Sequence, residues 1–175
     1  MKKTLLVAGI GNIFFGDDAF GSEVARELMR RPLPEEVRVE DYGIRSYDLA
    51  YALMDGCDAI LIDAVPRGEP PGTLYLIEPD LANLGGGGQI PDAHGMNPVG
   101  VLQMVQSLGG RTGRLYLVGC EPSALESDEG RMELSESVQA AVPRAIEMVE
   151  SLIQDLLHDK NPITPRLAGA AKEVS

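Results

Sequence analysis

The sequence predicts a three-layer α/β/α sandwich built on a mostly parallel twisted sheet of about five strands, one of them antiparallel. Three observations point to it. Strand-like and helix-like stretches alternate from residue 4 to residue 157. Two of the strand-like runs are apolar without alternation, as strands covered on both faces are. Three of the proposed parallel strands have an aspartate at or beyond their carboxyl ends, Asp18, Asp41 and Asp63, and that edge is where open α/β sheets build their sites.

Residues 4–10 form the first apolar run and break at Gly9-Ile10-Gly11-Asn12. A loop carrying Asp17 and Asp18 then leads to a helix over residues 19–30, with Phe20, Val24 and Leu28 on one face. Val37-Arg38-Val39-Glu40-Asp41 alternates as a second strand that Asp41 ends. A short helix over residues 47–54 follows, with Ser46 as its expected N-cap. Residues 59–62 are the second fully apolar run, ending in Asp63. Residues 73–77 follow Pro70-Pro71-Gly72 too closely for a crossover helix, so they are expected to pair antiparallel. Gly85 to Gly88 open a loop through His94 that is expected to be a mobile flap. A helix over 97–108, a strand over 114–119 and a final helix from Ser135 complete the order. In the last helix Val138, Val142, Ile146, Val149, Ile153 and Leu156 keep the helical period through Pro143, which predicts one kinked helix, not two.

Length and composition narrow the possibilities. The 175 residues suit one domain, taken as 1–158, with 159–175 as a disordered tail. A formal charge of −12, from 27 acidic against 15 basic residues, opposes binding to nucleic acid or anionic membrane. Arg26, Arg30, Arg31, Arg45, Arg111 and Arg114 read as solvated surface residues, and only Arg45 is singled out. Mean hydropathy of −0.04 and a short first apolar run without a cleavage pattern predict a cytoplasmic protein. Cys57 and Cys120 alone allow no disulfide framework.

The chemistry is concentrated at the first strand end. In a dinucleotide fold the glycines there would admit pyrophosphate, and the third glycine of the fingerprint would fall at position 14, which is Phe14. Asp17 and Asp18 would repel a phosphate, so this edge favours a cation or a polar neutral ligand. If the sheet gathers Asp18, Asp63 and His94, two carboxylates and an imidazole can hold a divalent transition ion with positions left open for water or substrate. A nucleophilic mechanism finds little support. No Gly-x-Ser-x-Gly turn occurs, and Cys120 is the only nucleophile worth weighing.

Gly9-x-Gly11-Asn12 with Asp17-Asp18 and Gly21 resembles the opening of the hydrogenase maturation proteases. Ile60 to Val65, His94-Gly95 and Val118-Gly119-Cys120-Glu121-Pro122 follow in the family's order, so the resemblance covers roughly residues 4–157. It implies an aspartic-type endopeptidase that removes a C-terminal peptide from the large-subunit precursor of a nickel-iron hydrogenase. By the same resemblance Asp18, Asp63 and His94 are the catalytic and metal-binding residues, and the metal is nickel supplied in the substrate. Asp41, Gly43 and Arg45 are the expected substrate contacts, although Asp41-Tyr42-Gly43-Ile44-Arg45 departs from the Asp-Gly-Gly-Thr form of other members. Tyr42 and Arg45 are therefore expected to read a different precursor surface. The metal either polarises the scissile carbonyl or only docks the enzyme, in which case Asp18 or Asp41 serves as general base. A non-cleaving nickel-sensing assembly chaperone would use the same residues. A monomer is the expected state.

Overall fold

The structure is a computed structural model and describes residues 3–82, 84, 97–123 and 133–162. Among the described residues five strands form one sheet in the order β2-β1-β3-β5-β4, with β1 (Leu5–Ile10), β2 (Val37–Gly43), β3 (Asp58–Ala64) and β5 (Leu115–Cys120) parallel. Only β4 (Leu74–Ile77) runs antiparallel, against β5, as the short connection from β3 requires. The predicted fold class is the observed one.

Strand side chains alternate between two cores. Leu5, Val7, Ile60, Ile62, Tyr116 and Val118 face α1 (Phe20–Met29) and α4 (Glu136–Leu157). Leu6, Ala8, Ile10, Leu61 and Leu117 face α2 (Ser46–Leu53) and α3 (Pro98–Ser107). Both faces are covered, which is why β1 and most of β3 carry unbroken apolar runs. The final helix is continuous across Pro143, as its period predicted. Asn97 caps α3 by accepting the Val99 N–H at 2.9 Å, with Pro98 at the first helical position.

Three sequence expectations need correction. Ser46 is the first residue of α2, and the cap is Arg45, which makes no side-chain capping bond. The second strand does not end at Asp41 but runs on to Gly43, because a bulge at Gly9/Ile10 skips Tyr42 and lets the Gly11 N–H donate to the Gly43 carbonyl at 3.0 Å. The bulge also turns Tyr42 inward: it is 2 % exposed and packs in the α2/α3 core, so it reads no partner surface. His94, the glycine loop at 85–88 and residues 163–175 of the expected 159–175 tail lie outside the described residues.

Arg26, Arg30, Arg31, Arg45 and Arg114 each pair with a carboxylate. Arg114 donates to buried Asp58 from its backbone and its guanidinium and also reaches the Leu156 carbonyl, which ties β3 and β5 to the end of α4. Lys3 and Asp159 join the same cluster.

Candidate functional site

The chain reverses direction across the sheet between β1 and β3. From β1 it crosses through α1 to β2 on one side, and from β2 it crosses back through α2 to β3 on the other. Such a switch point leaves a crevice beyond the strand ends. Asp18 follows β1 in a 3-10 helix over Gly16–Ala19, and Asp63 is the penultimate residue of β3.

Glycines make this approach possible. A Cβ on Gly11 would collide with the carbonyl oxygen of Asp18, and one on Gly21 would collide with the carbonyls of Ile10 and Ile62. A Cβ on Gly9 would lie 2.5 Å from both the Ala25 Cβ and the Gly21 carbonyl. The glycines thus seat α1 and the 3-10 turn directly on β1 and β3. They serve backbone packing and cradle no phosphate.

The two carboxylates so gathered are poorly solvated. Asp63 is 5 % exposed and accepts the Ala64 N–H at 2.8 Å. Burial, followed by the nearby charge of Asp18, pushes its carboxyl well above the ordinary aspartate range. Asp18 accepts the Asn12 N–H at 3.0 Å, and burial raises its carboxyl as well. Two carboxylates that share a desolvated crevice repel each other, and a divalent cation between them would relieve both penalties.

Asp17 has the opposite character. Its carboxylate accepts four hydrogen bonds: from the N–H of Ser123 at 2.9 Å, its Oγ at 2.7 Å, the N–H of Ser135 at 2.6 Å and its Oγ at 2.8 Å. Burial opposes its charge, yet the bonds from Ser123 and Ser135 hold the carboxyl below the ordinary range. The acidic pair therefore divides into one saturated carboxylate and one with acceptor capacity to spare. Sequence spacing alone did not separate them.

Asp41 lies at the same edge, but its carboxylate is engaged. It accepts from Ser22 Oγ at 2.7 Å and from the Gly43 N–H at 3.0 Å, and pairs with Arg26 at 3.3 Å. Gly43 needs its residue type because φ is +56°. Arg45 donates to the carbonyls of Asp41 at 2.7 Å and Tyr42 at 3.2 Å, so it braces the β2–α2 corner while its side chain stays more than half exposed.

Sequence reading gave Glu121 no role. It is 4 % exposed, and its carboxylate accepts the N–H groups of Arg67 at 2.7 Å and Gly68 at 2.9 Å and the Tyr75 hydroxyl at 2.7 Å. It fixes the β3–β4 connection that leaves Asp63. The available signal was a carboxylate placed directly after an apolar strand, since buried acids require partners.

Cys120 is fully buried in the α1/α4 core, and burial pushes its thiol up to about 12. A thiol held protonated in a core is no nucleophile. Cys120→Ala is therefore expected to leave peptide cleavage intact, measured by mass spectrometry of a cleaved substrate. Loss of cleavage in a folded variant would reinstate the thiol.

Among the described residues no three His, Cys, Asp or Glu side chains come together as a metal cluster. The third predicted ligand, His94, is outside them. What the fold and site define is an α/β protein with a desolvated pair of aspartates at its switch point, an arrangement suited to engaging a divalent cation.

Comparisons with known proteins carry the assignment further. The sequence model described as hydrogenase maturation protease matches residues 22–152, more than half of the chain. That stretch includes Asp41, Asp63 and His94 and begins four residues after Asp18. A Methanocaldococcus jannaschii protein assigned to the hydrogenase maturation proteases is 34% identical over 160 residues, which span 85% of this chain and 95% of that protein. The hydrogenase maturating endopeptidase HybD of E. coli superposes with a TM-score of 0.71 at 26% identity, over 87% of this chain and 93% of its own. A hydrogenase 2 maturation peptidase from a Thaumarchaeota archaeon gives a TM-score of 0.63 at 33% identity, over 86% and 98%. The chain belongs to the hydrogenase maturation protease family and is a peptidase. Among the described residues no helix is long and apolar enough to cross a membrane.

Proposed function

We propose that this peptidase removes a C-terminal peptide from the large-subunit precursor of a nickel-iron hydrogenase after nickel has been inserted, and that Asp18, Asp63 and His94 engage the substrate's nickel. The observation that carries this reading is the desolvated Asp18–Asp63 pair at the switch point. In this reading the enzyme acts as a monomer in the cytoplasm.

The rival groups at this edge are occupied or inert. Asp17 is saturated by internal hydrogen bonds, Asp41 is engaged by Ser22, Gly43 and Arg26, Glu121 holds a loop, and Cys120 is a protonated core thiol. Asp18 keeps acceptor capacity and a raised proton affinity, both of which suit a general base that takes the proton of an attacking water. Asp63 and His94 then serve chiefly to fix the nickel-bearing end of the precursor. If nickel also polarises the scissile carbonyl, the same residues set its orientation.

The test is the intact mass of the cognate precursor after incubation with this protein, with and without nickel in the precursor. Loss of a short C-terminal fragment is expected only with nickel, and neither Asp18→Asn nor His94→Ala should release it. Nickel-dependent binding without loss of mass would overturn the cleavage proposal. Cleavage by His94→Ala at the wild-type rate would remove that ligand.

A further inference from the structure

We infer that Asp17 is a positioning residue, one that fixes Asp18 against Asp63 by clasping Ser123 and Ser135. The inference rests on the proposed role of Asp18. The 3-10 helix of Gly16–Ala19 is one turn long, and its N-cap Phe15 makes no side-chain bond. Isolated 3-10 turns have poor hydrogen-bond geometry and little stability of their own. The residues before it, Phe14 and Phe15, are 61 % and 48 % exposed, so no apolar anchor holds that side.

Three constraints converge on Asp18. Its carbonyl oxygen lies against the bare Cα of Gly11, which limits how far the turn can move toward β1. Its carboxylate takes the Asn12 N–H. Immediately before it, Asp17 is bonded to two residues 106 and 118 positions further along the chain, one just after β5 and the other the N-cap of α4. Placed at that helix start, the Asp17 carboxylate is also on the favourable end of the helix dipole. The clasp thus anchors the turn to the end of β5, which lies on the other side of β1 and β3 from β2, and to the start of α4. A shift of about 1 Å in a catalytic group can lower the rate about 100-fold.

The consequence is kinetic. In Asp17→Asn the acceptor count falls and an amide N–H₂ faces donors, so the turn loosens while Asp18 itself is unaltered. At a temperature where circular dichroism reports full folding, kcat on the nickel-loaded precursor is expected to fall at least about 10-fold, with KM changed far less. The double variant Ser123→Ala/Ser135→Ala keeps the two backbone donors and should give a smaller loss of the same kind. A merely structural role predicts a lower Tm with wild-type kcat below the transition, and that result would overturn the inference. Should Asp17→Asn fail to fold, the double serine variant decides by the same criterion. If the wild-type protein proves not to cleave, the cleavage proposal fails and the clasp is tested on nickel-dependent precursor binding. Weaker binding by the folded variant, with no further loss when Asp18→Asn is added, supports the clasp. Independent losses overturn it.

Discussion

Replacing Asp63 with asparagine is expected to slow precursor processing about 100-fold or more and, at neutral pH, to make the protein more stable. The two effects share one origin. Asp63 is buried beside Asp18, so its charged form is disfavoured in the folded protein and not in the unfolded chain. For a carboxyl raised in this way the folded state binds the extra proton. Its contribution is fully present below the ordinary value of 3.8 and is lost as pH rises through the raised folded value. Asparagine removes that loss and retains an oxygen to accept the Ala64 N–H. The gain in urea midpoint over wild type should therefore be small near pH 4 and grow toward pH 8. Each kcal/mol gained raises Tm by about 2–4 °C in a domain of this size. Activity should move the other way, by about 100-fold to 10,000-fold, the range expected for an acid–base or metal-engaging group. Equal pH profiles for variant and wild type would mean that Asp63 carries no burial penalty. Retained processing would mean that it holds nothing of the substrate. A site that is less stable with its functional side chain than without it is a common trade in enzymes.

The same opposition explains what the sequence could and could not reveal. Leu5 to Ile10 and Ala59 to Ile62 announced a sheet covered on both faces, because no other common environment tolerates such runs in a small domain. Parallel strand direction then gathered Asp18, Asp41 and Asp63 at one edge without any side-chain information. The limits lay where a contact depends on residues far apart in the chain. Asp17 and Asp18 are neighbours of one type, and only Ser123 and Ser135 separate their roles. Glu121 became a loop tie through Arg67, Gly68 and Tyr75. Tyr42 sat in a motif that invited a surface reading, yet a one-residue bulge sends it into the core, since a shift of one position reverses the face of a strand. Phe14 and the acidic pair argued against a phosphate at the glycines, but that Gly9, Gly11 and Gly21 seat a helix and a turn on the strands is a fact of tertiary packing.

Gly21→Ala is expected to destabilise the protein by roughly 3 kcal/mol or more, although alanine is the better helix former. Gly21 is in the first turn of α1, and a Cβ there would strike the carbonyl oxygens of Ile10 and Ile62 and lie 2.8 Å from the Ile10 nitrogen. These are backbone atoms of two central strands and cannot yield, so α1 must lift from the sheet. That movement strips contacts from Phe20 and Val24 and carries the 3-10 turn with it, since Ala19 joins the two helices. Stability and processing should then fall together. Gly100 supplies the control. It lies within α3, where, among the described residues, a Cβ would meet only the Asn97 Cβ at 4.0 Å, so Gly100→Ala should stabilise by about 0.5–1 kcal/mol. Urea unfolding of both variants makes the comparison. A Gly21→Ala protein as stable as its Gly100→Ala counterpart would show that helix propensity outweighs the packing of α1 on the strand ends.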